Sequence, residues 1–122
     1  MTGQSDNQSV PPEPGRGRVR PGRLFELLTD SRRRQLLYYL SDEGSSQLTA
    51  VARAIARRES STGRVPPDTV RAVYLDLYHT HLPKLADAGL VEYSDSLGEV
   101  VLVQTDDAFT RYLDAAANLE VR

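Results

Sequence analysis

A mainly α-helical fold with a small β-hairpin is predicted by three features of the sequence. Two segments place apolar residues at the i, i+3, i+4, i+7 spacing of a helix packed on one face, and a third, before them, sets Leu36, Leu37 and Leu40 on one helical stripe. Two short β-branched or aromatic runs, "LVEY" and "EVVLV", are separated by the turn-rich "SDSLG". A last segment then sets Phe109, Tyr112, Leu113 and Ala116 along one face of a further helix. The order is helix, helix, helix, hairpin, helix. Two strands alone are marginal in water, so the hairpin must pack on the three-helix core.

Residues 1 to 21 mix Pro, Gly, Ser, Gln and Arg without periodicity and read as a disordered arm rich in Arg, Pro and Gly. Its "RGRVRPGR" clusters Arg16, Arg18, Arg20 and Arg23, a pattern that suits a phosphate backbone or a minor groove as well as a solubilising tail. Leu24, Phe25, Leu27 and Leu28 make a short apolar turn, after which Asp30 or Ser31 can cap the first core helix. Leu36, Leu37 and Leu40 form the stripe of that helix, and Gly44 lies past its end. Leu48, Val51, Ala52 and Ile55 define the second helix, with Thr49 as its expected cap. "RRESSTGRVPPD" is a polar loop, and Asp68 is the expected cap of the third helix, whose core side is Val70, Val73, Tyr74 and Leu77.

The helical pattern continues through Leu82 and Leu85 to Ala88, across Pro83. Pro83 cannot donate to the carbonyl of His79, and its ring crowds that carbonyl, so a bend near residues 79 to 82 is expected. The other reading is a break, with Thr80 capping a new helix and Pro83 in its first turn. Gly89 supplies the left-handed residue that stops the helix and turns the chain into "LVEY". Thr105 or Asp106 is expected to cap the last helix.

Composition narrows the function classes. With 122 residues and 39% hydrophobic residues, one domain with a single core is expected. Cysteine is absent, which excludes disulfides, thiolate metal sites and a cysteine nucleophile. No run approaches a membrane span and no apolar leader opens the chain, so the expectation is a soluble, cytoplasmic protein without a membrane partner. Residues 1 to 74 hold 12 Arg against 8 acids, whereas residues 75 to 122 hold 2 Arg and 1 Lys against 9 acids. The first half is therefore the one suited to an anionic partner. For catalysis there is no phosphate loop, no nucleophile elbow and no carboxylate pair in a credible cleft, so neither an enzyme nor a cofactor is expected. His79 and His81 have an H-x-H spacing, but two positions apart on a helix face nearly opposite ways, and no metal site is expected.

"HLPKLADAGLVEY" carries a resemblance: His81-Leu82, Leu85 and Ala88-Gly89-Leu90-Val91 are similar to the end of the recognition helix in winged helix-turn-helix regulators of the ArsR, MarR and PadR type. "LLTDSRRRQLLYYL" followed by "YHTHLPKLADAGLVEYS" looks more narrowly like an uncharacterised haloarchaeal winged-helix family of unknown function. The resemblance covers residues 24 to 103 and implies a winged helix-turn-helix, with a three-helix core, a two-stranded wing and a C-terminal helix. Residues 22 to 104 are then the winged-helix domain, and residues 105 to 122 the C-terminal helix and possible dimerisation element.

In such a fold the third helix turns its solvent face to the major groove. That face is read as Thr69, Arg71, Ala72, Leu75, Asp76 and His79: Arg71 could reach guanine, Thr69 or His79 a phosphate or base edge, while Leu75 and Asp76 fit poorly. Arg53, Arg57, Arg58 and Arg64 are candidate backbone contacts, as are Arg32 and Arg33, which with Arg34 oppose the helix dipole. The wing offers Asp95 and Glu99 but no cation, so it is not expected to grip DNA unaided. The expectation is a DNA-binding transcriptional regulator of double-stranded DNA, acting as a homodimer whose seam is Phe109, Tyr112, Leu113 and Ala116. Two alternatives stay open: that this helix packs within its own chain, and that the protein is an interaction module docking a protein partner.

Overall fold

The computed structural model describes residues 19–103 and 106–120. Arg16, Arg18 and Thr105, together with most of the arm, lie outside the described residues. Helix α1 (Pro21–Leu27) starts on a proline, whose fixed φ and missing N–H suit the first helical position. Helix α2 (Ser31–Glu43) is capped by Asp30, which accepts from the backbone N–H of Arg32 at 2.8 Å and of Arg33 at 3.1 Å. It stops at Gly44, whose φ of 81° few other residues adopt without strain.

Strand β1 (Ser45–Gln47) follows and leads directly into helix α3 (Leu48–Glu59). Thr49 is not the cap of α3: the helix begins one residue earlier and no side chain caps it. Its first N–H donates instead to the carbonyl of Gly98, 2.9 Å away in the wing turn, so the helix end is satisfied across the fold rather than locally. Helix α4 (Pro67–Asp76) likewise begins on Pro67, and Asp68 sits in the first turn, favoured by the dipole, rather than at the cap.

From α4 the chain passes through a π-helical turn (Leu77–His81) into helix α5 (Leu82–Asp87). Asp76, Leu77 and Leu82 all keep helical dihedrals, so the helix continues across this region and Thr80 caps nothing. The N–H of Leu82 reaches back five residues to the carbonyl of Leu77. One extra residue in the turn gives the Pro83 ring the room that a regular α-turn denies it. Gly89, with φ 80°, then ends the helix: Leu90 N–H donates to Leu85 and Gly89 N–H to Ala86, the paired bonds of a Schellman motif.

Strands β2 (Val91–Ser94) and β3 (Glu99–Leu102) form the hairpin, and β1 adds to the far side of β3. The sheet therefore has three antiparallel strands in the order β1, β3, β2, where two were expected. "SSQ" is too short and too polar to show an alternating pattern, so only the pairing of Ser45 with Val101 and Gln47 with Glu99 makes it a strand.

The core joins α2, α3, the third helix and the sheet: Leu36, Leu37, Leu40, Leu48, Val51, Leu77, Leu85, Leu90 and Val100 are fully buried. Helix α6 (Asp107–Glu120) packs against α2 and is started by Asp106, whose carboxylate accepts from Phe109 N–H at 3.0 Å. Phe109 and Leu113 are buried in the chain's own core, Tyr112 is half-buried edge-on to Phe25 at 4.9 Å, and Ala116 is half-buried. Phe109 and Leu113, two of the four residues expected to form a dimer seam, are thus covered within the chain where α6 packs on α2, while Tyr112 and Ala116 stay half-exposed.

Candidate nucleic-acid interface

Helices α3 and α4 pack against each other across a loop built on one hydroxyl. Ser60 Oγ accepts from the N–H of Thr62 and Gly63 at 3.3 and 3.0 Å and donates to the carbonyl of Arg64 at 2.9 Å. Thr62 Oγ1 accepts from Arg64 N–H at 3.2 Å, and Gly63 takes a φ of 81°. The loop is polar in sequence but fixed in shape, and it holds Arg64 outward.

The exposed face of α4 carries Thr69, Arg71, Ala72 and Leu75. Arg71 lies on the flank it shares with Tyr74 and Tyr78, three and seven residues on. Arg53 and Arg57, one turn apart, stand opposite the buried stripe of α3 and are exposed. Among the described residues none of Arg53, Arg57, Arg64 and Arg71 forms an ion pair. Arg58 is also exposed but turns to the other flank, lining a cleft with Gln35, Tyr38 and Asp42 of α2. His79 is exposed at the π turn, with its ring edge-on to Tyr78 at 5.0 Å.

Arg32 and Arg33, taken as contacts for DNA on sequence grounds, are engaged inside the fold. Arg33 is 8% exposed, and its guanidinium donates to the carbonyls of Leu27 and Glu26 at 2.7 and 3.4 Å and to His81 Nδ1 at 3.2 Å. A guanidinium only donates, so Nδ1 of His81 accepts, which places the ring proton on Nε2, facing Asp76 Oδ2 at 2.9 Å. Arg32 grips Glu59 with two bonds of 2.8 Å and Asp76 with one of 3.0 Å. Burial alone would raise the Asp76 carboxyl, but the bonds from Arg32 and His81 outweigh it and hold the carboxyl below its ordinary range. Asp76 is therefore turned to internal cations rather than presented to a groove. Arg34 pairs with Glu120 at 2.8 Å, tying the end of α6 to the start of α2.

The wing turn carries Asp95, Glu99 and an exposed Leu97, held by Leu97 N–H to Ser94 Oγ at 3.2 Å and Gly98 N–H to the Ser94 carbonyl at 2.7 Å. No cation stands at its tip. His81 is buried while His79 is exposed, so the two histidines diverge as helical spacing requires.

Three core helices, a hairpin following the third of them and a last helix make a mainly helical fold with a small antiparallel sheet, the arrangement of a helical core carrying a β-hairpin wing. The chain belongs to the family described as Domain of unknown function (DUF7344), whose model matches residues 25–101. No curated protein and no solved structure matches the chain.

Proposed function

We propose that this protein is a DNA-binding transcriptional regulator of the winged helix-turn-helix type, acting on double-stranded DNA in the cytoplasm. One observation carries this reading: α2 ties Arg32, Arg33 and Arg34 to acceptors on other elements of the chain and Arg23 pairs with the exposed Glu26 beside it, whereas α3, its loop and α4 leave Arg53, Arg57, Arg64 and Arg71 without ion pairs among the described residues. Unpaired arginines keep their full attraction for phosphates, because no carboxylate must first be displaced. Arg53, Arg57 and Arg64 would grip the backbone, and Thr69 and Arg71 would read from the groove. The resemblance to ArsR, MarR and PadR regulators points the same way.

The protein-interaction reading rests on the wing, where Leu97 is 64% exposed between Asp95 and Glu99. A homodimer would draw on the half-exposed Tyr112 and Ala116 of α6 and on Leu119, which is 85% exposed. Binding of the full chain to labelled duplexes, including the DNA upstream of its own gene, across a salt series with competitor tests the regulator reading. Affinity should fall log-linearly with salt, and alanine at Arg53, Arg57 or Arg64 should each lower the slope by about one. Absence of binding at low salt would overturn the regulator and favour the interaction module.

A further inference from the structure

A cleft of about 330 Å³ opens between the third helix and the wing, walled by Tyr78, His79, Leu82 and Pro83 on one side and by Tyr93 and Asp95 on the other. Its volume lies at the small end of the range for ligand sites. The Tyr78 and Tyr93 rings stand 5.6 Å apart at 71°, so they meet as two walls of a corner rather than stacking together. Tyr78 is backed by Tyr74, parallel to it at 6.3 Å. Asp95 is the carboxylate of this lining, and its Oδ1 accepts from the Tyr78 hydroxyl at 3.0 Å. That bond keeps the carboxylate at the mouth of the aromatic corner while its second oxygen stays available.

This lining selects by charge. The faces of tyrosine rings are the negative end of their quadrupole, and Asp95 adds a formal negative charge, so an anion is repelled by both. A neutral apolar guest would offer no counter-charge to the carboxylate, whose second oxygen it would leave unmatched wherever it displaced water. A cation sheathed in carbon satisfies the rings, the carboxylate and the apolar floor of Leu82 and Pro83 together. We propose that the cleft between the third helix and the wing binds a small organic cation of the alkyl- or quaternary-ammonium class, held against Tyr78 and Tyr93 with Asp95 as counter-charge. Because its two walls come from α5 with the π turn and from β2 with the wing turn, an occupant ties the wing to the helix that precedes it.

The test titrates the isotope-labelled full chain with choline and, separately, with its neutral carbon isostere 3,3-dimethylbutan-1-ol, following backbone amide shifts. Choline should give saturable shifts confined to residues 78 to 95, and the isostere should bind on the order of fivefold more weakly. Asp95→Asn, on an exposed turn where the fold is not at stake, should weaken choline by a similar factor and leave the isostere unchanged. The proposal is overturned by equal binding of choline and isostere, by choline shifts indifferent to Asp95→Asn, by shifts centred elsewhere, or by no saturable shift at all.

Discussion

Arg33 gathers more of the interior polar chemistry than any other described side chain: two carbonyls from the end of α1 and the imidazole of His81 converge on it. The bonds to the Leu27 carbonyl and to His81 are buried, so removing the fork takes a donor from two buried groups rather than breaking one exposed bond. Arg33→Lys keeps the charge but offers no planar fork, and it should cost about 1–3 kcal/mol in urea unfolding, with Arg33→Ala costing more. Acid should act through neighbouring carboxylates. The bond from Arg34 holds Glu120 below its ordinary range, as the bonds to Arg32 and His81 hold Asp76. A carboxylate depressed in the folded state stabilises it fully above the unfolded-state value, and that contribution is lost as pH falls through the folded one. Unfolding midpoints should therefore fall as pH drops below the ordinary values of 4.5 for Glu and 3.8 for Asp. An Asp76→Asn, Glu120→Gln protein should show a flatter profile over the same window. The "RRR" run was legible as unusual because it opposes the helix dipole, yet its use was not: successive helical positions point 100° apart, and only the fold says what lies in each direction.

Among the elements, the third helix carries the most information. Its end at Gly89 was anticipated, since glycine acts through backbone geometry that no distant contact can cancel, whereas at Pro83 the sequence suggested a bend or a break and the structure has a π-helical turn. Gly89→Ala must place a Cβ at φ 80°, and it should lower stability by about 1 kcal/mol in urea unfolding while leaving the helical circular dichroism nearly intact. Caps were less legible. Asp30 caps α2, as one of the two residues read for that place, but α3 takes its acceptor from Gly98, and α4 starts on a proline, so Thr49 and Asp68 have other surroundings. A cap can be read from sequence when the acceptor is local and cannot when another element supplies it. Strand β1 was missed for the same reason, since its identity lies in its partner β3.

At the scale of the whole molecule, α6 is a lid on the core. Phe109→Ala should cost about 3 kcal/mol, measured by urea unfolding, and should leave the mass from light scattering unchanged, because the ring is buried inside one chain. A change of oligomeric state without loss of stability would return that face to the role of a dimer seam. The sequence by itself determined the succession of helices and hairpin, the stop at Gly89 and the apolar stripes, because periodicity and backbone restriction act over a few residues. Only the tertiary structure decided which arginines are engaged and which, among the described residues, form no ion pair. It also decided that α6 closes its own core and that three tyrosines and Asp95 meet beside the wing. Each of these depends on groups far apart in the chain, brought together by packing, and no local pattern records that.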